Sequence, residues 1–310
     1  MSKIGKLYYE EGYTQDEIVL KMKLSRSKVS RLMKQARDTG IVKITVIPPP
    51  GIYSDLEMQL ERRFRLLEVL IVEASPNNTP EELSRELGTA AASYFQRTVK
   101  DRDIIGVTWG VTMSCMVAAM QPLLLPEAHV LQMLGGLGQP EAEVHATELC
   151  RRLARLLDCK LTLLPSPGIV GNQRTKEALL SDSHIQKAFG LFPKINIAFA
   201  GVGAPTPTSV VVRDGSIINQ TEVDDLQHRG AVGDIALRFF DCYGQPVWSD
   251  VDDRVVGITL EQITRIERVV GVAGGAQKKN ALLGALRGGL IDVLITDQLT
   301  ARLLLDDNHR

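Results

Sequence analysis

The sequence has few aromatic residues and no pattern of paired cysteines. Aromatic side chains make up only 5% of the 310 residues, so a folded core must be built mainly from leucine, valine, isoleucine and alanine. The four cysteines are scattered, without a C-x-x-C pair and without histidine at metal-ligand spacing: Cys115, Cys150, Cys159 and Cys242. This distribution disfavours a zinc site or a disulfide framework and fits thiols in a reducing cytosol. We expect no metal and no cofactor.

Long apolar runs are absent as well. No stretch of 18 consecutive apolar residues occurs, and the N-terminal stretch MSKIGKLYYEEGYTQDE lacks the apolar core of a signal peptide. We therefore expect a soluble, cytoplasmic protein without a membrane partner. An apolar content of 44% with 24% charged residues argues against disorder, and the length suffices for two domains.

The two parts of the chain carry net charges of opposite sign. Residues 1–47 carry ten Lys/Arg and five Asp/Glu, a net charge of +5, whereas the remainder carries 26 basic and 32 acidic residues, a net charge of −6. A small basic head on an acidic body predicts a polyanionic partner for the head alone.

The basic head contains three short helical patterns. The first covers residues 3–11 and closes at Gly12, and the second begins at Thr14, which stands three residues before Glu17 as in a capping box. The third begins after Ser25, and four apolar residues fall on one of its faces: Val29, Leu32, Met33 and Ala36. The short connection between the second and third helices predicts a helix-turn-helix.

The third helix has the charge of a DNA-recognition helix. Residues 21–37 include seven basic side chains and no acidic one. Arginine can bind a guanine edge with two hydrogen bonds, while serine and lysine more often contact phosphate. The expected DNA contacts are Gln15, Ser25, Arg26, Ser27, Ser30, Arg31 and Lys34. The alternative is a solvated basic helix in an appendage, and the helix spacing, both caps and the charge bias favour operator DNA as the partner.

A domain boundary is predicted directly after this module. Residues 41–47 alternate as an edge strand would, and Pro48-Pro49-Pro50-Gly51 forms a stiff linker that is incompatible with a helix. We therefore expect a DNA-binding domain at residues 1–51 and an effector-binding and oligomerisation domain at residues 52–310.

The larger segment alternates strand patterns with helical patterns, which predicts an α/β domain with a mostly parallel sheet covered on both faces. The predicted strands lie within residues 66–74, 103–109, 129–135, 160–167, 195–203, 268–275 and 292–297. The predicted helices cover residues 81–99, 112–123, 143–157, 278–287 and 298–305. Asp214-Gly215 predicts a hairpin turn that interrupts this alternation.

Glycine-rich turns follow four of the predicted strands. Glycine lets a backbone amide approach an anion closely, and a following helix adds a favourable dipole. If the turns converge at the sheet edge, they form a pocket for a phosphorylated or multiply hydroxylated small molecule. The candidate residues in these turns are Trp109, Gly110, Thr112, Gly135, Gly136, Gly201, Gly203 and the pair Gly274-Gly275. The alternative for each glycine is simple turn geometry, and without a GxGxxG or Walker A motif a nucleotide is not indicated.

Two charged residues near these turns are further candidates. Asp234 lies in the otherwise apolar run GAVGDIALRFFD, so its carboxylate needs a partner, either a sugar hydroxyl or a backbone cap. Lys278 opens the helix after Gly274-Gly275, where a cation opposes the helix dipole and a bound phosphate would offset it. The alternative for Lys278 is a solvent-facing lysine beside Lys279. For Asp297, the N-cap of the last helix is the favoured interpretation.

Several long motifs together resemble the SorC family of bacterial sugar-responsive transcriptional regulators, in the right order and over essentially the whole chain. They are YYEEGYTQDEI, LSRSKVSRLMKQARDTGIVKI, IIGVTWGVTM, LPSPGIV, GVGAP, GAVGDI, RFFD and AGGAQKKNALLGALRGGLIDVLITD. The resemblance implies a helix-turn-helix domain joined to an effector domain similar to sugar-phosphate isomerases and deaminases. It also implies a homo-oligomer, commonly a tetramer, and a phosphorylated sugar as the effector.

The resemblance also implies site residues. The phosphate-binding turns of the family match residues 109–112 and Gly135-Gly136, and the charged residues that flank the ligand match Asp234 and Lys278. The final strand of the family usually ends in Thr-Asp-Glu, and here it ends in Thr296-Asp297-Gln298, which weakens an acid role at position 298 and leaves the role of Asp297 open. The function so predicted is a DNA-binding regulator controlled by a small metabolite and not an enzyme. The alternative is a sugar-phosphate isomerase or deaminase with a helical appendage, in which Asp234 and Lys278 would supply a base and an electrophile.

Overall fold

A computed structural model of the protein describes residues 1–42, 53–136, 146–206 and 218–307. The chain divides into two compact units, Met1–Pro50 and Gly51–Arg310. Three predictions lie outside the described residues: the strand from residue 43 onward, the proline linker with the boundary at residue 51, and the hairpin at Asp214-Gly215.

The N-terminal unit consists of three helices, α1 (Ser2–Tyr9), α2 (Gln15–Met22) and α3 (Arg26–Asp38). The predicted capping box is present at the start of α2, because the Thr14 hydroxyl accepts the Glu17 amide and the Glu17 carboxylate accepts the Thr14 amide. Five buried side chains form its small core: Ile4, Leu7, Ile18, Val29 and Met33. The three helical patterns therefore predicted the right elements.

The C-terminal unit contains a seven-stranded sheet in the order β1-β9-β8-β5-β2-β3-β4, in which every neighbouring pair is parallel. Its strands are β1 (Glu68–Val72), β2 (Ile104–Val107), β3 (His129–Gln132), β4 (Lys160–Thr162), β5 (Ile197–Gly201), β8 (Arg268–Val272) and β9 (Val293–Asp297). All seven lie where the sequence predicts a strand. A separate antiparallel pair, β6 (Gly233–Ile235) and β7 (Arg238–Phe240), was not predicted.

Helices cover both faces of this sheet. The described helices of this unit are α4 (Ser54–Phe64), α5 (Pro80–Thr98), α6 (Val111–Ala119), α7 (Ala146–Leu157), α8 (Gln173–Leu180), α9 (Ser183–Phe189), α10 (Gln220–His228), α11 (Leu260–Ile263), α12 (Lys279–Arg287) and α13 (Gln298–Leu305). Alternate residues of β1 face different cores: Val69 and Ile71 join one buried cluster, and Leu70 and Val72 pack against the other. None of the described helices is both long and apolar enough to cross a membrane.

The predicted extent of one helix is wrong. The pattern places a helix over residues 112–123, but α6 ends at Ala119 and Met120 is already extended. Proline at position 122 lacks an amide hydrogen and disfavours helical geometry at the residue before it, so the helix ends before this point.

The order of the strands contains a switch point between β2 and β5. From β2 the chain continues to β3 and β4 on one side, and from β5 it continues to β8 and β9 on the other. In open parallel sheets, ligands bind beyond the carboxyl ends of the strands at such a point. The turns that follow β2 and β5 are therefore the expected ligand position.

Helix α4 covers the edge strand β1. The outward amide of Val69 donates to Glu61 Oε1 and that of Ile71 donates to Glu57 Oε1, both at 3.0 Å. The two glutamates lie four residues apart on one face of α4, and they bind alternate amides of the strand. The edge of the sheet is thus paired by side chains, which protects it from pairing with another strand.

Helices α5 and α6 pack closely at Gly88, and a substitution there tests this contact. A Cβ atom at Gly88 would lie 2.5 Å from Cβ of Cys115 and 2.7 Å from its carbonyl carbon. Gly88→Ala should therefore lower the free energy of unfolding by about 1–3 kcal/mol, as overpacking does. Urea denaturation measures this change.

Gly171→Ala is the matched control, because a Cβ at Gly171 would have no atom within 4 Å. We expect it to change the stability by less than about 0.5 kcal/mol. Equal denaturation midpoints for both variants would contradict the helix contact described here.

Candidate functional site

The exposed side of α3 carries most of the predicted DNA contacts. Val29, Met33 and Ala36 are buried and Leu32 is half-buried, as the pattern predicts. The exposed residues include Arg26, Ser27, Ser30, Arg31 and Lys34. Helices α2 and α3 are joined by three residues, of which Lys23 has a φ of 52° and reverses the chain at the end of α2.

Ser25 and Arg26 also have partners within the N-terminal unit. The Ser25 hydroxyl caps α3 by accepting the Lys28 amide at 3.3 Å. Arg26 Nε lies 3.5 Å from Asp16 Oδ1, and both side chains are about 70% exposed or more, so this ion pair is weak and leaves the arginine available. Gln15 is half-buried as the first residue of α2.

The predicted effector residues meet at the carboxyl edge of the sheet. Trp109, which follows β2, donates from its indole nitrogen to the carbonyl of Gly135 after β3 at 2.9 Å. Gly201, at the end of β5, donates its amide to the hydroxyl of Thr108 at 3.3 Å. Gly203 exchanges two backbone hydrogen bonds with Asp234, at 2.9 and 3.1 Å. The turns after three strands and the β6–β7 hairpin are thus directly connected.

Several of the glycine amides are already bonded within the protein. Gly135 donates to the carbonyl of Val256 at 3.1 Å, and Gly136 donates to that of Ser166 at 2.9 Å. A Cβ atom at Gly135 would lie 2.4 Å from the carbonyl oxygen of Pro167. Glycine is therefore needed at position 135 because the backbones pack closely there. This is the structural alternative to ligand contact that the sequence leaves open.

The amides of Gly203 and Gly275 are bonded in the same way. A Cβ at Gly203 would lie 2.0 Å from Asp234 Oδ1. The Gly275 amide donates to Asp297 Oδ2 and to the Thr300 hydroxyl, both at 2.8 Å. Asp297 also accepts the Thr300 amide, so it is the N-cap of α13, as the sequence favours.

The first backbone amides of α6 have no hydrogen-bond acceptor within the helix. Its N-cap is Gly110, whose φ of 149° suits glycine and which has no side-chain cap. The first amides of a helix have no intrahelical acceptor, and together with the helix dipole they favour an anion. A Cβ at Gly110, Gly136 or Gly201 would have no atom within 4 Å, so open space lies beside all three turns. Thr112 is half-buried on the first turn of α6.

Asp234 lies on a strained hairpin. The two residues of its turn, Ala236 and Leu237, have φ values of 56° and 60°, which residues other than glycine rarely adopt. The Asp234 carboxylate accepts the Leu237 amide at 3.3 Å and thereby bonds to this turn. Strain of this kind is found preferentially at functional sites.

The structure distinguishes the two neighbouring lysines. Lys279, the first residue of α12, has its ammonium 3.5 Å from the carboxylate of Asp307. Lys278 ends a short 3₁₀ turn before α12, is half-buried, and interacts electrostatically with Asp234. Lys278 is therefore the lysine that belongs to the candidate site.

Burial shifts the titration of both members of this pair. It raises the pKa of Asp234 to about 6, against the smaller opposing effects of the Leu237 amide and of Lys278. Burial also lowers the pKa of the Lys278 ammonium, and Asp234 opposes that shift. Each charge is thus poorly solvated, and a polar ligand at this position would compensate both.

Sequence reasoning missed a second buried charge in the same run. Arg238, four residues after Asp234, is 7% exposed and pairs with the equally buried Asp252 at 3.4 Å. The signal that singles out Asp234, a charge within an apolar stretch, applies equally to Arg238. This signal could have identified Arg238 from the sequence, although it could not have identified the partners of Arg238.

An open recess of about 510 Å³ lies apart from the candidate effector site, between α8, α9 and the loop after β4. It is lined by Pro165, Thr175, Ala178, Leu179, Asp182, His184 and Ile185. None of the predicted effector residues lines it.

Comparison with known proteins identifies the family. Residues 50–306 match a family described as "Putative sugar-binding domain". The deoxyribonucleoside regulator of Bacillus subtilis (strain 168) is 34% identical over 98% of this chain and 96% of its own length. The chain belongs to the SorC family of sugar-responsive transcriptional regulators.

Two further comparisons extend over the full chain. The sorbitol operon regulator of Klebsiella pneumoniae is 29% identical over 98% of this chain and 96% of its own. The crystal structure of that full-length regulator, SorC, has a TM-score of 0.78 with 28% identity, and it covers 98% of this chain and 97% of the other. These matches confirm the predicted fold class and the predicted general function, a sugar-responsive DNA-binding regulator.

The raised pKa of Asp234 predicts how the stability of the protein depends on pH. The folded state holds this proton more tightly than the unfolded state, whose pKa is near 3.8. The stabilising contribution is thus fully present below about pH 4 and is lost as the pH rises through about 6. Asp234→Asn should raise the free energy of unfolding by on the order of 2 kcal/mol at pH 7 and leave it nearly unchanged at pH 4.

Denaturation of both proteins across this pH range measures the difference. Asp224→Asn, which removes a carboxylate from an exposed position of α10, is the control and should change the free energy of unfolding by less than about 0.5 kcal/mol. A constant difference between Asp234→Asn and the wild type from pH 4 to 7 would show that the carboxyl group is not buried as described.

Proposed function

We propose that the protein controls transcription by binding operator DNA through a helix-turn-helix at residues 1–51, and that a phosphorylated sugar bound at residues 52–310 changes its operator affinity. Effector binding changes DNA affinity when the effector binds the DNA-competent and DNA-incompetent states unequally, and the coupling is reciprocal. In keeping with the family resemblance, we further propose that the protein acts as a cytoplasmic homotetramer.

The N-terminal unit supports the DNA-binding part of this proposal. Helix α3 combines a buried apolar face with exposed arginine, lysine and serine side chains. In a helix-turn-helix, the N-terminal residues of the second helix reach base edges in the major groove. Arg26 and Ser27 occupy that end of α3, while Arg31 and Lys34 suit contacts with phosphate.

The electrostatic interaction between the buried Asp234 carboxylate and Lys278 carries the effector part of the proposal. A carboxylate suits sugar hydroxyls as an acceptor, and an ammonium suits a phosphate. The start of α6 at Gly110 adds a second position that favours an anion, at the switch point of the sheet. A sugar that carries phosphate satisfies both kinds of group.

An enzymatic function would use the same pair differently. A carboxyl group with a pKa of about 6 beside a lysine of lowered pKa is a suitable acid–base pair for an isomerase. We propose that the pair senses a ligand without turnover, since the relatives named above are regulators and a basic helical unit has no role in isomerisation.

The first prediction from this proposal concerns Arg26. Arg26→Ala should weaken operator binding about tenfold, because a bidentate contact to a base contributes about 1–3 kcal/mol. Fluorescence anisotropy at fixed salt, with an operator selected from random-sequence DNA, measures the affinity. Lys6→Ala, which removes an exposed positive charge from α1, is the matched control and should have a smaller effect. Unchanged affinity of the Arg26 variant would contradict the assignment of α3 as the recognition helix.

The second prediction concerns Lys278. A ligand that binds the folded state raises its melting temperature, so thermal shift with a panel of sugars detects the effector. The names of the relatives suggest 2-deoxyribose and sorbitol, and the proposed phosphate effector suggests testing each with and without a phosphate, as 2-deoxyribose 5-phosphate and sorbitol 6-phosphate. We expect a phosphorylated member to stabilise the wild type, and Lys278→Ala to abolish most of this shift while its affinity for operator DNA stays the same.

Lys279→Ala is the matched control, because Lys279 pairs with Asp307 and not with the candidate site. It should retain the shift. Stabilisation by the unphosphorylated sugars alone would contradict a phosphate effector, and turnover of a panel member at about 1 per second or faster would contradict the absence of enzymatic activity.

A further inference from the structure

The β6–β7 hairpin presents a buried guanidinium to the loop that precedes α11. Arg238 follows the strained turn directly, and its Nε donates to the carbonyl of Ile258 at 3.0 Å. Its Nη1 donates to the carbonyl of Asp252 at 3.2 Å. Two longer contacts join Nη2 to the carbonyls of Gly257 and Val255, at 3.3 and 3.4 Å. One side chain thus gathers four carbonyl groups of a single loop.

The same loop also forms backbone hydrogen bonds with the turn that follows β3. The carbonyl of Val256 accepts the Gly135 amide at 3.1 Å, and the Ile258 amide donates to Met133 at 2.8 Å. The Val256 amide donates to the carbonyl of Gly168, after β4, at 2.9 Å. The position of the Gly135 turn therefore depends on the loop that Arg238 organises.

We propose that Arg238 is a positioning residue of the effector site, which fixes the hairpin that carries Asp234 and the turn that carries Gly135 in one geometry. This inference rests on the proposed effector site. Arg238 is buried and its donors all point to the loop, so it acts on the effector through these two elements.

Two physical features support a positioning role for Arg238. Residues other than glycine rarely adopt the positive φ values of Ala236 and Leu237, and such a turn persists only where the surrounding contacts hold it. A guanidinium presents five donors in a rigid plane, whereas the ammonium of lysine presents three donors on one nitrogen. Lysine at position 238 cannot contact carbonyl groups of Asp252 and Ile258 with the same geometry.

Trp109 provides a spectroscopic test that needs no ligand. Its indole donates to the Gly135 carbonyl, and the only other tryptophan, Trp248, is 72% exposed. In a Trp248→Phe background, fluorescence reports on Trp109 alone. We expect Arg238→Lys to shift the emission to longer wavelength and to increase quenching by acrylamide, because the Gly135 turn loosens around the indole.

Two further variants make this test decisive. Lys176→Met is the matched control, since the Lys176 ammonium on α8 donates to the same Asp252 carbonyl at 2.9 Å and makes no other hydrogen bond among those described for this side chain. Its Trp109 emission should stay unchanged. If Arg238→Lys does not fold, Asp252→Asn replaces it, because that change leaves the guanidinium without its carboxylate partner, and the same shift is expected. A lowered melting temperature with unchanged Trp109 emission, or equal shifts in the Lys176 control, would overturn the inference.

A second measurement connects this geometry to the effector. The affinity for 2-deoxyribose 5-phosphate or sorbitol 6-phosphate, whichever stabilises the wild type, should fall at least about tenfold in Arg238→Lys, equivalent to about 1.4 kcal/mol. An unchanged affinity would overturn the positioning role. If neither compound stabilises the wild type, the effector proposal fails in its stated form, and the Trp109 measurement still decides whether Arg238 fixes the turn.

Discussion

The parallel arrangement of the seven strands is the constraint on which the rest of the C-terminal unit depends. Parallel strands can be joined only by connections that return over a face of the sheet, so the turns that follow them all lie at one edge. This arrangement brings Trp109, Gly135 and Gly203 together although nearly a hundred residues separate the first from the last. The site is thus a consequence of topology, and the side chains determine what it can bind.

The second determinant of the site is the presence of poorly solvated charged residues at the carboxyl edge of the sheet. Asp234 and Lys278 lie where burial opposes ionisation of both, and two residues of the adjacent turn have strained backbones. Such features lower the stability of the folded protein, and proteins commonly retain them where function requires them. In a sensor this has a direct use, because a ligand that compensates buried charge changes the energy of one conformation more than that of another.

Local signals explain why much of the fold could be predicted from sequence. Thr14 and Ser25 cap helices through residues three positions away, and near-continuous apolar runs, most of them followed by helical patterns, identified all seven strands of the sheet. The extent of α6 was predicted wrongly because the apolar pattern was given more weight than the proline at position 122. The hairpin at β6–β7 could not be predicted, because its turn consists of Ala236 and Leu237 where glycine or asparagine is usual.

The candidate site was predictable in its residues and less so in their roles. Asp234 and Lys278 are recognisable as unusual charges, but whether a glycine amide is available depends on distant carbonyl groups such as that of Val256 for Gly135. Arg238 shows the same limit, since its partners lie 14 to 20 residues further along the chain. Sequence patterns report periodicity and local hydrogen bonds, whereas these contacts arise only when the sheet has formed.

The carboxylates of α4 have a consequence for assembly. Glu57 and Glu61 occupy the outward amides of β1, and the strand at the other end of the sheet, β4, has only three residues. Within the part of the chain that the structure describes, neither end of the sheet offers a long row of unpaired backbone groups to a second copy of the chain. Copies that joined their sheets into one continuous sheet at β1 would first have to displace two glutamates. The proposed homotetramer would therefore form through surfaces made of side chains, where residue identity rather than backbone pairing selects the partner.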